Sequence, residues 1–286
     1  MVAASMGLVT PVLTRVPRRH AGWEDEAGIA EVAEIARAAD RLGYDFLTCS
    51  EHVGIPTDVA PVRGSTYWDP LASFGYLAAC TDRIRFATYV LVLAYHHPLE
   101  LAKRYGTLDV VCGGRLILGV GVGSLKEEFD LLGAPFGDRG PRGDDALRAL
   151  RVSLGQREPS YDGPFYRYSG MIVDPCAVQA RMPIWIGGRT VRSLRRAVAL
   201  ADGWAPFGLG VAELASMVAA VERPDGFETV LSPERAFDPG GAPGATQEAV
   251  AELRAAGATK IALRLVQHSV AHCIEQLEAM SQLAVD

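Results

Sequence analysis

The chain has little of what stabilises small secreted domains. Its five cysteines, Cys49, Cys80, Cys112, Cys176 and Cys273, are odd in number, widely spread and never arranged as CxxC. That pattern excludes a disulfide framework and reads as reduced, small apolar side chains in a cytoplasmic setting. No stretch approaches the ~18 uninterrupted apolar residues of a membrane span. The opening MVAASMGLVTPVL has no basic segment before its apolar residues and is expected to form a first strand rather than a targeting peptide. Positive charge is also short: 28 Lys and Arg against 34 Asp and Glu leave a net charge of -6. Basic residues concentrate only at Arg15 to Arg19 and Arg192 to Arg196, so no nucleic-acid partner is expected.

Several catalytic signatures are absent as well. There is no GxGxxG or GxxxxGK[ST], so neither a dinucleotide fingerprint nor a P-loop is supported. There is no GxSxG elbow, which removes the usual serine-hydrolase reading. His96 and His97 are adjacent without a carboxylate cluster, and no metal site is expected from them. His268 and His272 are assigned a surface or capping role.

What is present is a repeat of form. Short β-branched or aromatic runs alternate with amphipathic stretches across 286 residues, the signature of a parallel sheet. Strands are expected over Met6–Leu13, Tyr44–Cys49, Ile84–Val92, Arg115–Gly121, Pro183–Gly187, Gly203–Phe207, Phe227–Leu231 and Lys260–Leu265. Helices are expected over Asp25–Leu42, Pro70–Thr81, Pro98–Cys112, Leu125–Leu132 with Arg142–Leu154, Val191–Ala201, Ala212–Glu222, Thr246–Ala256 and Val270–Leu283. About eight βα units close a (β/α)8 TIM barrel and leave no sheet edge, here as one domain over residues 1–286. A doubly wound open sheet is the rival; it accounts for fewer strands and prefers an early glycine fingerprint.

Thr14–Glu24, Val53–Trp68 and Ser232–Gly244 follow expected strands and belong at the mouth, where a barrel carries its chemistry. Gly155–Met182 joins a helix to a strand, and its segment Tyr161–Gly170 is expected to be a hairpin at the opposite end.

SEHV at Ser50–Val53 places Glu51 and His52 at the mouth, a carboxylate and an imidazole able to work on one proton. GGRLILGVGVGS at Gly113–Ser124 and IWIGGRTVRSLRRA at Ile184–Ala197 each combine a buried strand, a glycine turn and a helix start. Two such turns on neighbouring strands would hold a phosphate between them, with Arg189 supplying charge. A packing role for the glycines is the alternative. Trp68, Tyr67 and Trp204 are expected to line an apolar substrate pocket, and Arg264 to meet an anionic substrate, the acidic tail of a cofactor, or a surface carboxylate.

Taken together, these segments resemble the luciferase-like superfamily of FMN-dependent monooxygenases and F420-dependent dehydrogenases and reductases. The likeness is densest from RIRFATYVLVLAYHHP through GVGVGSLKEEFDLLG, with PIWIGG and ADGW as second anchors. It implies that Glu51 and His52 close the second strand beside a deazaflavin ring, and that a bulge at Tyr89 and Val90, often with a non-proline cis peptide, backs that ring. It further implies that Val122, Gly123 and Ser124 lie near the cofactor chain, that Gly187, Gly188, Arg189 and Thr190 hold its phosphate, and that the protein is a homodimer acting on a small molecule.

Two departures narrow the reading. Ser124 stands where the F420-dependent sugar-phosphate dehydrogenase has glutamate, and Val53 where it has a second histidine. The short Ser232–Gly244 loop leaves little for a luciferase lid. The expectation is therefore hydride transfer with coenzyme F420. An FMN monooxygenase fed by a partner reductase is the alternative, and a non-catalytic flavin-binding barrel the second.

Overall fold

A computed structural model describes residues 5–17 and 19–283. Residues 1–4, Arg18 within the basic run, and residues 284–286 lie outside the described residues.

Eight parallel strands form the wall: β1 (Ser5–Leu8), β2 (Phe46–Cys49), β3 (Arg85–Thr88), β4 (Leu116–Gly121), β5 (Ile184–Gly187), β6 (Gly203–Ala205), β7 (Glu228–Leu231) and β8 (Lys260–Leu263). Each pairs with its neighbours in chain order. The wall closes where β1 meets β8 in the register Ser5 to Lys260, and no edge is left to aggregate. The helices are α1 (Ile29–Arg41), α2 (Pro70–Ala78), α3 (Pro98–Val111), α4 (Arg139–Ser153), α5 (Val191–Leu200), α6 (Val211–Ala219), α7 (Pro243–Ala255) and α8 (Val270–Leu283). Among the described residues, no helix is long and apolar enough to cross a membrane.

Strand alternation sorts the core into two layers. Phe46, Ala87, Ile117, Trp185, Ala205, Val230 and Ala262 point into the barrel. Their neighbours, among them Leu47, Phe86, Leu116, Ile186, Trp204 and Leu263, point out to the helices. The interior is filled by two large rings, Phe46 and Trp185, meeting edge-on with centroids 5.1 Å apart. They fit because small residues surround them. A Cβ on Gly7 would sit 2.4 Å from the Phe46 ring, and one on Gly203 would sit 2.7 Å from Trp185.

Beneath those rings the strand starts carry a closed charge network. Lys260 Nζ lies 2.6 Å from Asp45 Oδ2 and 3.1 Å from Glu228 Oε1. Arg85 reaches Asp45 at 2.5 Å, and Trp185 Nε1 donates to Glu228 at 2.6 Å. Burial alone would raise the Asp45 carboxyl pKa, but the ammonium of Lys260 and the guanidinium of Arg85 bring it below its ordinary value.

Where the elements differ from expectation, the causes are local. The first strand stops at Leu8 rather than Leu13, because Val9–Leu13 turns to bring the Val12 amide onto Glu24 Oε2 at 2.7 Å. The third strand is interrupted at Tyr89–Val90 and resumes at Leu91–Val92 beside β4. Helix α4 begins at Arg139, ahead of Pro141, whose missing N–H falls among first-turn amides that have no helical partner anyway. Two of the mouth loops are stitched together: Thr14–Arg15 pairs antiparallel with Thr66–Tyr67. The hairpin is present, Tyr161–Asp162 against Arg167–Tyr168, but not at the opposite end. It climbs the outer flank of α4, fixed by Asp145, which accepts from the Tyr161 hydroxyl and the Phe165 and Tyr166 amides. Tyr166 reaches His97 at the head of α3.

Candidate active site at the barrel mouth

The floor of the mouth is the interruption in the third strand. The Tyr89–Val90 peptide is cis, as the resemblance implied. The Tyr89 amide donates to Cys49 O at 2.7 Å, Ser50 Oγ donates to Tyr89 O at 2.8 Å, and Thr88 Oγ1 donates to Gly119 O at 2.7 Å. The bulge is thereby bolted to the strands on either side, and Val90 projects over the ends of β4 and β5. Space for Val90 is what the two glycine turns provide. A Cβ would stand 3.0 Å from its methyl at Gly121 and 2.8 Å at Gly187.

Glu51 and His52 do not share a proton. Successive side chains of an extended segment point to opposite sides, and each takes a different partner. Glu51 is buried; its Oε2 accepts from the Val92 amide at 2.8 Å and its Oε1 lies 2.7 Å from His96 Nε2. Desolvation pulls the His96 pKa down, but the hydrogen bond to Glu51 and that carboxylate's charge outweigh it and leave the value raised.

His52 Nδ1 lies 2.7 Å from Glu128 Oε2. Glu128, on the short helix Lys126–Leu131, has a fully buried side chain. It also accepts from the Tyr95 hydroxyl at 2.7 Å and from the Val53 amide at 2.5 Å. Burial would push this carboxyl up, but those donors lower its pKa and keep it ionised. An ionised Glu128 can only accept, so His52 Nδ1 carries the hydrogen of this bond and Nε2 is the ring nitrogen left without that partner. Tyr67 packs edge-on against the imidazole, with ring centres 4.5 Å apart.

The two turns flank this pair. Val122 packs onto α4, where a Cβ at Gly143 would meet its methyl at 2.8 Å, so its side chain turns away from the mouth. Gly123 has φ +78, and Phe129 and Val92 occupy the place of its side chain. Ser124 is exposed and approached by Arg63 at 3.4 Å, while Arg139 Nε reaches Gly123 O at 3.3 Å. On the second turn, Gly188 has φ +146 and Thr190 caps α5 through the Ser193 amide at 3.2 Å. Arg189 is exposed, its guanidinium 5.5 Å from the Phe207 ring. Among the described residues, neither Arg63, Arg139 nor Arg189 pairs with a carboxylate.

A cavity of about 440 Å³ opens beside Tyr89 and is bounded by Phe207, Ser232, Glu234 and Arg264. A second, of about 490 Å³, lies outside the barrel between α6 and α7 and shares with the first only the wall at Pro233 and Glu234.

Arg264 therefore stands at the mouth, and among the described residues it pairs with no carboxylate. Trp204 does not line the cavity. It is fully buried behind the wall, with Nε1 on Ser193 Oγ at 3.1 Å, because the inward position of that strand belongs to Ala205. Trp68 is half-buried against the outer core and accepts from Cys49 Sγ through its carbonyl. Glu128, Tyr95, Arg63 and Arg139 carry no local signal in the sequence, and His96, named there only beside His97, meets its carboxylate Glu51 through the fold. His97 caps α3 through the Leu99 amide.

The family model of the luciferase-like monooxygenases matches residues 10–225. An uncharacterized protein of Mycobacterium tuberculosis is 34% identical over 195 residues, covering 64% of this chain and 69% of that one. Among solved structures, the coenzyme F420 dependent tetrahydromethanopterin reductase from Methanopyrus kandleri superposes with a TM-score of 0.74 at 16% identity, over 99% of each chain. The oxygenating constituent of 3,6-diketocamphane monooxygenase from Pseudomonas putida, in complex with FMN, gives 0.72 at 16% identity, over 99% of this chain and 98% of that one. These two structures share the fold with this chain and differ between themselves in cofactor.

Proposed function

This chain belongs to the luciferase-like monooxygenase family, and from that premise we propose that it is an oxidoreductase using coenzyme F420 in preference to FMN. The observation that carries the reading is the buried Glu128 holding His52 by Nδ1, next in the chain to Glu51, whose amide donates to Val90 O of the bulge at 3.4 Å. The residues fit a flavin-type ring: Val90, seated against the glycines at 121 and 187, supplies an apolar face. They fit deazaflavin better than FMN because F420 carries a phosphate and an acidic tail. Arg63, Arg139 and Arg189, none paired with a carboxylate among the described residues, offer more positive charge than one phosphate requires.

When bound, a deazaflavin supplies a carbon that gives or takes hydride and does not readily activate oxygen. The chain's own part is positioning and proton management. The bulge and the amides at the start of α5 set the ring and its phosphate. His52 holds or releases the proton that balances the hydride, and Glu128 and Tyr67 keep its ring aimed. A small-molecule substrate and a homodimer belong to the same proposal, the dimer testable by sedimentation.

The test is a side-by-side fluorescence titration with F420 and FMN, repeated on Arg189→Gln. Tighter F420 binding, weakened by the substitution, supports the reading. Preferential FMN binding with oxygen consumption moves the assignment to a monooxygenase, and binding of either cofactor without turnover moves it to a non-catalytic barrel.

A further inference from the structure

The cavity beside Tyr89 is apolar on one side and cationic on the other. Val9, Phe207, Leu209 and Leu214 supply hydrocarbon, and Arg19 and Arg264 supply two guanidinium groups. Arg264 is pinned by its Nη2, which donates to Pro233 O at 2.5 Å and to Glu234 O at 2.6 Å. Its Nη1 and Nε have no partner among the described residues. The single carboxylate of the lining, Glu234, is turned onto the Val211 amide at 3.2 Å. Two like charges thus line one cavity, Arg264 half-buried and Arg19 exposed, and neither pairs with a carboxylate among the described residues. Burial, and then the charge of Arg19, work against the charged form of Arg264. A guanidinium stays protonated nonetheless, so the arrangement favours an anion. Neutral donors stand beside it. The Tyr89 hydroxyl meets Pro206 O and Ser232 Oγ only at 3.4 Å each, the outer limit of a hydrogen bond, and burial keeps it protonated by raising its pKa.

We propose that this cavity is the substrate subsite and that the substrate is an organic acid, an apolar body ending in one carboxylate held by Arg264, Arg19 and Tyr89. The inference rests on the preceding reading for the word substrate, because Tyr89 is the residue whose backbone forms the bulge. Charge selection by the cavity stands without it. The carboxylate belongs to the substrate rather than to the acidic tail of F420, because the cavity opens onto that bulge, whereas Arg63 and Arg139 gather on the first glycine turn, no residue of which lines the cavity.

Sodium cinnamate and its uncharged counterpart cinnamamide, titrated calorimetrically into the cofactor-free full chain, read the subsite directly. Cinnamate is expected to bind about tenfold more tightly than the amide, and Arg264→Gln to remove that preference. Arg19→Gln leaves the bonds to the Pro233–Glu234 wall in place and is expected to weaken cinnamate by about threefold with the amide unchanged. Equal affinity for acid and amide, no binding of the acid, or an acid preference that survives both substitutions overturns the proposal. So does displacement of cinnamate by F420 but not by the tail-free deazaflavin, which would give the arginines to the cofactor. Failure of F420 to bind leaves the cinnamate result standing, so the two readings fail separately.

Discussion

The two ends of this barrel handle charge in opposite ways. At the strand starts, Asp45 and Glu228 are matched by Arg85 and Lys260, and the rings of Phe46 and Trp185 seal the interior above them. At the strand ends, the buried carboxylates of Glu51 and Glu128 are given histidines as well as amides, while five arginines around the rim, Arg19, Arg63, Arg139, Arg189 and Arg264, pair with no carboxylate among the described residues. Glycine differs too. Gly7 and Gly203 make room for core rings, whereas Gly121 and Gly187 make room for Val90 of the bulge. One end matches its charges, and the other carries arginines without carboxylate partners among the described residues. That division is how a barrel separates stability from chemistry.

The comparison can be broken from either side. The largest effect is expected at the mouth: His52→Gln should lower turnover with reduced cofactor by about a hundredfold or more, roughly 3 kcal/mol of barrier, with little change in urea midpoint. A matching loss of stability would place His52 with the structural charges instead. At the bottom, Asp45→Asn should cost about 2–3 kcal/mol in urea unfolding and leave cofactor affinity unchanged. The sign of its pH dependence follows from the lowered pKa. Its contribution is complete above the unfolded value of about 3.9 and is lost as pH falls through the folded one. The substitution should therefore flatten the acid limb of the stability profile, and an unaltered limb counts against the network.

Smaller effects sharpen the boundary between the two ends. Gly187→Ala places a methyl 2.8 Å from Val90 Cγ1 and should cost about 1–3 kcal/mol. Adding Val90→Ala should recover part of that loss, and no recovery would mean that the clash lies elsewhere. The smallest effect belongs to the Glu51–His96 pair. Because the His96 pKa is raised on folding, its stabilisation is complete below about 6.5 and falls away as pH rises through the folded value. The midpoint difference between the parent chain and His96→Gln, about 1 kcal/mol at its largest, should shrink with rising pH. A difference that grows instead would mean that the neutral ring carries the contact.

Much of the barrel was legible in the residues. The short apolar runs and their spacing predict all eight wall strands, and the motif around Phe86–Pro98 marks the position of the bulge. The site was legible only in part. His52, Arg189 and Arg264 stand at the mouth as expected, but the partner of His52 is 76 residues away. No local pattern separates Glu128, which is buried, from Glu127 beside it, which is exposed. The expected partnership of Glu51 with His52 failed because adjacency along an extended segment is separation across it. Trp204 is expected in an apolar pocket, whereas the face it occupies depends on its register against β5 and β7.

What the sequence alone determined is the number and order of the βα units and the glycine turns at their ends. Those follow from short-range periodicity and from backbone conformations that only some residues adopt. What the tertiary structure decided is which side chains meet: Glu51 with His96, Glu128 with His52, Val90 with two glycines from different turns, Arg264 with Tyr89 around one cavity. Those pairings depend on strand register and on closure of the wall, and a one-residue change in either would hand each of them to a different partner.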